Sequence, residues 1–77
     1  MFPRFFTSVR GFWSDMLFYR ISSAYKGVAV YPGGVSRRVR DLCLADAVYN
    51  VFLGYWREIR DHEARVMLLA ASKKGAA

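Results

Sequence analysis

The sequence predicts an all-α fold, with an N-terminal amphipathic helix over residues 3–26, a linker over 27–35 and one long helix over 36–73. Three observations carry this reading. Apolar residues recur in steps of three and four from Phe2 to Leu17, which is the helical period. Tyr31-Pro32-Gly33-Gly34 is the only strong break, because proline fixes φ and lacks a donor while paired glycines remove helical preference. From Val35 to Trp56 the chain then has neither proline nor glycine apart from Gly54. The 77 residues read as a single unit with no internal repeat.

In the first half, Phe2, Phe5, Phe6, Val9, Phe12, Trp13, Met16 and Leu17 form one wide apolar stripe, and Pro3 is tolerable in a first turn. Lys26 suits the negative end of a helix dipole and Gly27 a left-handed cap, so the helix should end there. Val28 to Tyr31 should be extended. In the second half Ser36 is a plausible N-cap. After a nearly apolar run from Asp41 to Trp56, the character changes to Arg57-Glu58-Ile59-Arg60-Asp61-His62-Glu63. There Arg57 and Asp61, then Asp61 and Arg65, stand at i,i+4 and should support a solvated helix. A helix over 36–73 would be roughly 55 Å long, more than a small soluble domain can cover.

Composition narrows the functional classes. Apolar residues make up 55% and aromatics 17%, which excludes a disordered chain. One cysteine cannot make an internal disulfide, and Cys43 with His62 is too small a set for a structural zinc. Twelve Lys and Arg against six Asp and Glu give a net charge of +6. The chain has more oily surface than it can hide alone, and a bilayer or a larger assembly would absorb it.

Leu42 through Trp56 would make about 22 Å of helix against a hydrocarbon core of about 30 Å. The segment is short, yet Arg37, Arg38 and Arg40 before it and Arg57 and Arg60 after it could snorkel to the interfaces. Tyr55 and Trp56 fall where an aromatic belt forms. The expectation is a short transmembrane segment, with Arg37, Arg38, Arg40, Tyr55 and Trp56 at the lipid interface. Cardiolipin-type head groups would suit the arginine cluster. Asp46 would be costly in lipid, but Asp46, Asn50, Gly54 and Arg57 are spaced four, four and three, which would place a polar and small stripe against neighbouring membrane helices. The bland alternative is a helix of a soluble bundle with Asp46 in water. Residues 1–14 hold Arg4, Arg10, Thr7 and Ser8 and no acid, the composition of a mitochondrial targeting helix, although any basic interfacial helix shares it. The face Phe5, Phe6, Val9, Phe12, Trp13 and Met16 would lie on a partner or at the interface.

No catalytic constellation is expected. His62 is the only histidine, and in one long helix Cys43 would lie roughly 28 Å from it. Asp61 and Glu63 are two apart and face different ways, and Gly33-Gly34 lacks the pattern of a phosphate loop. No metal, cofactor or small-molecule substrate is implied. The aromatics share a stripe with large aliphatics, which argues against base-stacking platforms and so against nucleic acid.

Tyr25-Lys26, then Tyr49, Phe52, Tyr55-Trp56-Arg57, Ile59-Arg60 and His62-Glu63, around a short hydrophobic helix, resemble the small membrane subunits of mitochondrial ATP synthase, subunit f above all. The resemblance implies a non-catalytic, single-span subunit packed beside other subunits in the inner membrane. Asp46 in mid-segment, the short apolar run and the apolar turn after His62 depart from that pattern. The expected function is therefore an accessory subunit of a mitochondrial inner-membrane energy-converting complex, ATP synthase first, whose partners are other subunits and membrane lipids. Alternatives are an accessory subunit of respiratory complex I or cytochrome oxidase, a small mitochondrial ribosomal subunit, or a free peripheral membrane-binding protein.

Overall fold

A computed structural model describes residues 2–11 and 15–76, the last five of these by their backbone only. The fold is an antiparallel sheet with a helix on each face, and this overturns the all-α expectation. The strands are β1 (Arg4–Ser8), β2 (Phe18–Ser23), β3 (Lys26–Val30), β4 (Ser36–Arg38) and β5 (Trp56–Ile59). The helices are α1 (Leu44–Phe52) and α2 (Asp61–Ala76). The sheet order is β4-β3-β2-β1-β5, so β4 and β5 are the edges and the first strand of the chain lies inside the sheet.

The step-of-three-and-four spacing misleads because the sheet is buried on both sides. A strand covered on one face alternates apolar with polar, whereas one covered on both reads as a continuous apolar run. Phe5 and Phe6 are neighbours in β1 and therefore point to opposite faces. Phe5 packs with Phe18, Val30, Ile59 and Ala64, beside Met67 and Leu68 of α2. Phe6 packs with Ile21, Leu42 and Ala47, beside Leu44 of α1 and Trp56. Each face of the sheet thus owns a separate small core. Phe6, Phe18 and Ile21 are its most completely enclosed large side chains, each stabilising the fold by about 1.5–3 kcal/mol relative to exposure. Phe5 meets Phe18 edge-on at 5.7 Å between ring centroids, and Tyr19 lies against Trp56 at 4.7 Å.

Cross-strand register places Phe5 opposite Arg20 and Ile59, and Phe6 opposite Tyr19 and Glu58. Thr7 is the one buried polar side chain among the described residues, and its hydroxyl donates to the Leu17 carbonyl at 2.9 Å. Ile21 stands opposite Gly27 in β3, with a register shift between Ile21 and Ser23. Gly27 is extended and lies in the middle of packed chain, so it is no helix cap. A methyl group there would come within 2.6 Å of Leu42 and 2.8 Å of Ile21.

The long second helix is also absent, for local reasons. Pro32–Gly34 is a single 3-10 turn with Gly33 at φ 84°, and it breaks the chain as expected. Ser36 belongs to β4 and caps no helix. Asp41 turns the chain at φ 63° before α1 begins. At the other end Gly54, at φ 84°, closes α1: its N–H donates to the Val51 carbonyl and that of Tyr55 to the Asn50 carbonyl. These two bonds are a Schellman cap, which needs a residue that tolerates positive φ. The expected 42–56 membrane segment is therefore a turn, a nine-residue helix, a cap and the start of a strand. Nine residues of helix span about 14 Å, and no helix among the described residues is long and apolar enough to cross a membrane. The 3–26 helix is likewise replaced, with residues 4–8 in an interior strand. α1 and most of α2 fall within the predicted 36–73 range, but as two helices separated by β5; Asp61 and Glu63 stand in the first turn of α2, where the helix dipole favours them.

Candidate functional site

The residues singled out from sequence are scattered by this fold. Asp46 and Asn50 do share α1, where the Asn50 side chain donates back to the Asp46 carbonyl at 2.9 Å. Gly54 is the cap, and Arg57 lies on β5 with its guanidinium 3.1 Å from Glu63. The proposed Asp46–Asn50–Gly54–Arg57 stripe is thus not a helix surface. Of the expected partner-binding face, Phe5, Phe6 and Met16 are buried in the cores and Val9 is exposed. Phe12 and Trp13 lie outside the described residues. Of the expected interface residues, Arg37 and Arg38 are on the edge strand β4, Arg40 follows it, Tyr55 is exposed after the cap and Trp56 is half-buried in β5.

Charge pairing separates structural from available groups. Arg4 makes a two-pronged bond to Glu58, at 2.8 and 2.7 Å, and lies 5.6 Å from the Phe6 ring centroid. This bond from Arg4 holds the Glu58 carboxyl below the usual carboxylate range and raises Arg4. Arg65 pairs with Asp61 at 3.0 Å, the one predicted i,i+4 bridge that forms, while Arg57 has turned to Glu63. A cleft of about 920 Å³ is lined by Phe2, Pro3, Arg4, Phe5, Glu58, Ile59, Arg60, Asp61 and Arg65. Most of its charges already neutralise one another, so it is a seam of the fold. Tyr19 is pushed upward by burial and, secondarily, by Tyr31, consistent with a packing role for this ring.

The other side of the molecule differs. In α1 only Ala47 is fully buried. Leu44 and Ala47 face the sheet, while Val48, Tyr49 and Phe52 point outward at 45%, 61% and 83% exposure. Opposite the start of α1 sits the tip of the β2–β3 hairpin, fixed there by the Leu44 N–H donating to the Ala24 carbonyl at 3.0 Å. That bond stations Tyr25, at 87% the most exposed large apolar side chain among the described residues, at the mouth of the α1 face. Together Ala24, Tyr25, Cys43, Leu44, Ala45, Val48, Tyr49 and Phe52 line an apolar groove of about 660 Å³.

A second groove of about 620 Å³ adjoins it, lined by Tyr25, Lys26, Gly27, Arg38, Val39, Arg40, Asp41 and Cys43. Tyr25 and Cys43 border both. Among the described residues, Lys26, Arg38 and Arg40 enter no ion pair. The surface is continuous, oily at one end and cationic at the other.

Cys43 donates its thiol hydrogen to Asp46 at 3.2 Å, with His62 away on α2. Among the described residues no three His, Cys, Asp or Glu converge as metal ligands. The sequence reading passed over Tyr25, Lys26, Val48, Tyr49 and Phe52 as site residues. One signal was available: Leu44 and Ala47 mark one helical face and Ala45, Val48, Tyr49 and Phe52 another, so a short helix here is apolar well beyond the stripe that one sheet can cover, with only Asp46 and Asn50 polar. The second apolar face needs cover as the first does. Comparison with protein-family models, with curated proteins and with solved structures finds no match to this chain.

Proposed function

We propose that this chain is a non-catalytic accessory subunit, completed by docking on another protein through the outer face of α1. One observation carries the reading: among the described residues, half of the exposed large hydrophobics fall within Val48–Tyr55, on one helix and its cap. Soluble monomers scatter such residues; gathering them into one patch marks an interaction surface. Covering Phe52 alone would contribute about 1.5–3 kcal/mol to association. The role of an assembly subunit persists from the sequence expectation without the membrane span. The residues that suggested ATP synthase are divided among the hairpin tip, α1, its cap, β5 and α2, and they choose no host complex.

The test is migration of the tagged full chain in a native extract of its own cells. Wild-type protein should run with a large assembly. A Tyr49→Ser/Phe52→Ser variant should run free, while the purified variant melts within a few degrees of wild type because neither ring is buried in the fold. Co-migration of both proteins at the same large size would refute the α1 docking face. Free migration of both would refute the subunit role.

A further inference from the structure

Resting on that docking reading, we infer that the occupant of the α1 face is an amphipathic segment of a partner protein with acidic residues at one end. The apolar part of the segment lies along Val48, Tyr49 and Phe52, and its acids reach Lys26, Arg38 and Arg40 beyond Tyr25.

The chemistry changes along one continuous surface. At the α1 end the groove walls are almost wholly hydrocarbon and aromatic. Past Tyr25 and Cys43 the walls carry Lys26 from β3, Arg38 from β4 and Arg40 just after it. Elsewhere on the molecule Arg4, Arg57 and Arg65 are each satisfied by a carboxylate of the same chain, while Arg10, Arg20, Arg37 and Arg60, which enter no ion pair among the described residues, line neither groove. The three cations of this groove have no such partner among the described residues, so an acid supplied from outside would meet them without displacing an internal bridge. Interfaces use such complementarity to steer encounter and to fix direction, and here it would set which way the segment lies.

Two carboxylates on the same surface favour a protein over an anionic sheet. Asp41 lines the basic groove, and Asp46 is exposed on α1 near the apolar one. A lipid surface or a phosphate backbone would press negative charge on both. A polypeptide can place its acids against the cations and spare those two positions. An apolar groove is a common receiver of an amphipathic helix, whose anchoring side chains recur at helical spacing.

The experiment is selection of displayed random peptides of about twelve residues on the immobilised full chain. The same library is selected on an Arg38→Glu/Arg40→Glu variant and on Tyr49→Ser/Phe52→Ser. Wild type should enrich peptides with large apolar residues three or four apart and at least two Asp or Glu at one end. The charge-reversed protein should lose those peptides by about tenfold or more in affinity and enrich Lys and Arg in their place. Enrichment of apolar peptides with no acid preference, lost in Tyr49→Ser/Phe52→Ser, would overturn this inference and leave the docking face standing. Equal enrichment on wild type and Tyr49→Ser/Phe52→Ser would overturn both. Failure to enrich any peptide, with binding to phosphatidylcholine vesicles only when they contain phosphatidylserine, would overturn the protein occupant in favour of a membrane.

Discussion

Gly27→Ala is the most informative single change for the fold, because one methyl group tests the β2–β3 register and the seating of the layer above it. Gly27 stands opposite Ile21 in the sheet, and Leu42 lies over it. The new carbon would stand 2.6 Å from one Leu42 methyl, 3.0 Å from Leu42 Cγ and 2.8 Å from Ile21 Cδ1. Ile21 is fully enclosed and Leu42 6% exposed, so neither can swing into water. Overpacking a tight core costs about 1–3 kcal/mol. Alanine recovers about 0.4–1 kcal/mol by restricting the unfolded chain. The expected net loss is about 1–2 kcal/mol, and at about 4–8 °C per kcal/mol for a domain this small the melting temperature should fall by roughly 5–15 °C. Circular dichroism melts and urea titrations would measure it. The same substitution should be repeated in a Leu42→Val background, which removes the methyl at the closest approach. There the penalty should shrink by at least about 0.5 kcal/mol, the coupling expected of residues in contact. A glycine serving as a helix cap would also resist alanine, but its cost would not depend on Leu42. Equal cost in both backgrounds, or no cost in wild type, would refute the packing described here.

Two further outcomes follow. Thr7→Val should destabilise the chain by about 0.5–1.5 kcal/mol, since it removes the hydroxyl that satisfies the Leu17 carbonyl next to the core; an unchanged urea midpoint would show the bond to be dispensable. Glu58 is held below its ordinary range by Arg4, so its stabilising share is complete above the unfolded-state carboxylate range and disappears as pH falls through the lower folded value. Because both side chains are about a third or more exposed, the share should be no more than about 1 kcal/mol. Glu58→Gln should therefore lower stability at pH 7 and flatten its dependence below pH 5, and an unaltered acid limb would remove the pair from the stability of the fold.

How legible this was varies with the element, and the reason is geometric. The break at Pro32–Gly34 and the extended run at Val28–Val30 could be read from the residues, since both depend on local backbone preference. The Asp61–Arg65 pair was readable for the same reason. β1 was not, because Phe5 and Phe6 are each swallowed by a different core, and that erases the alternation that announces a strand. Arg57 found Glu63 across a chain turn where the sequence offered Asp61 at helical spacing. Gly54 was taken as a small packing residue when its conformation ends a helix. Within the candidate site, Arg38 and Arg40 stood out as charges, but their juxtaposition with Tyr25 depends on the β2–β3 hairpin and on how α1 abuts its tip. Sheet pairing decides such neighbours, and sheet pairing is non-local.

The interior position of β1 sets an order of events during synthesis. β1 leaves the ribosome before the β5 that it needs on one side, and Arg4 must wait for Glu58, 54 residues later, before its bond can close. Until then one flank of β1 presents unpaired backbone donors and acceptors to any strand nearby. Closing so distant a contact is slow compared with local pairing. Until β5 is made, β1 is therefore open to wrong partners, and β5 is the strand that seals it.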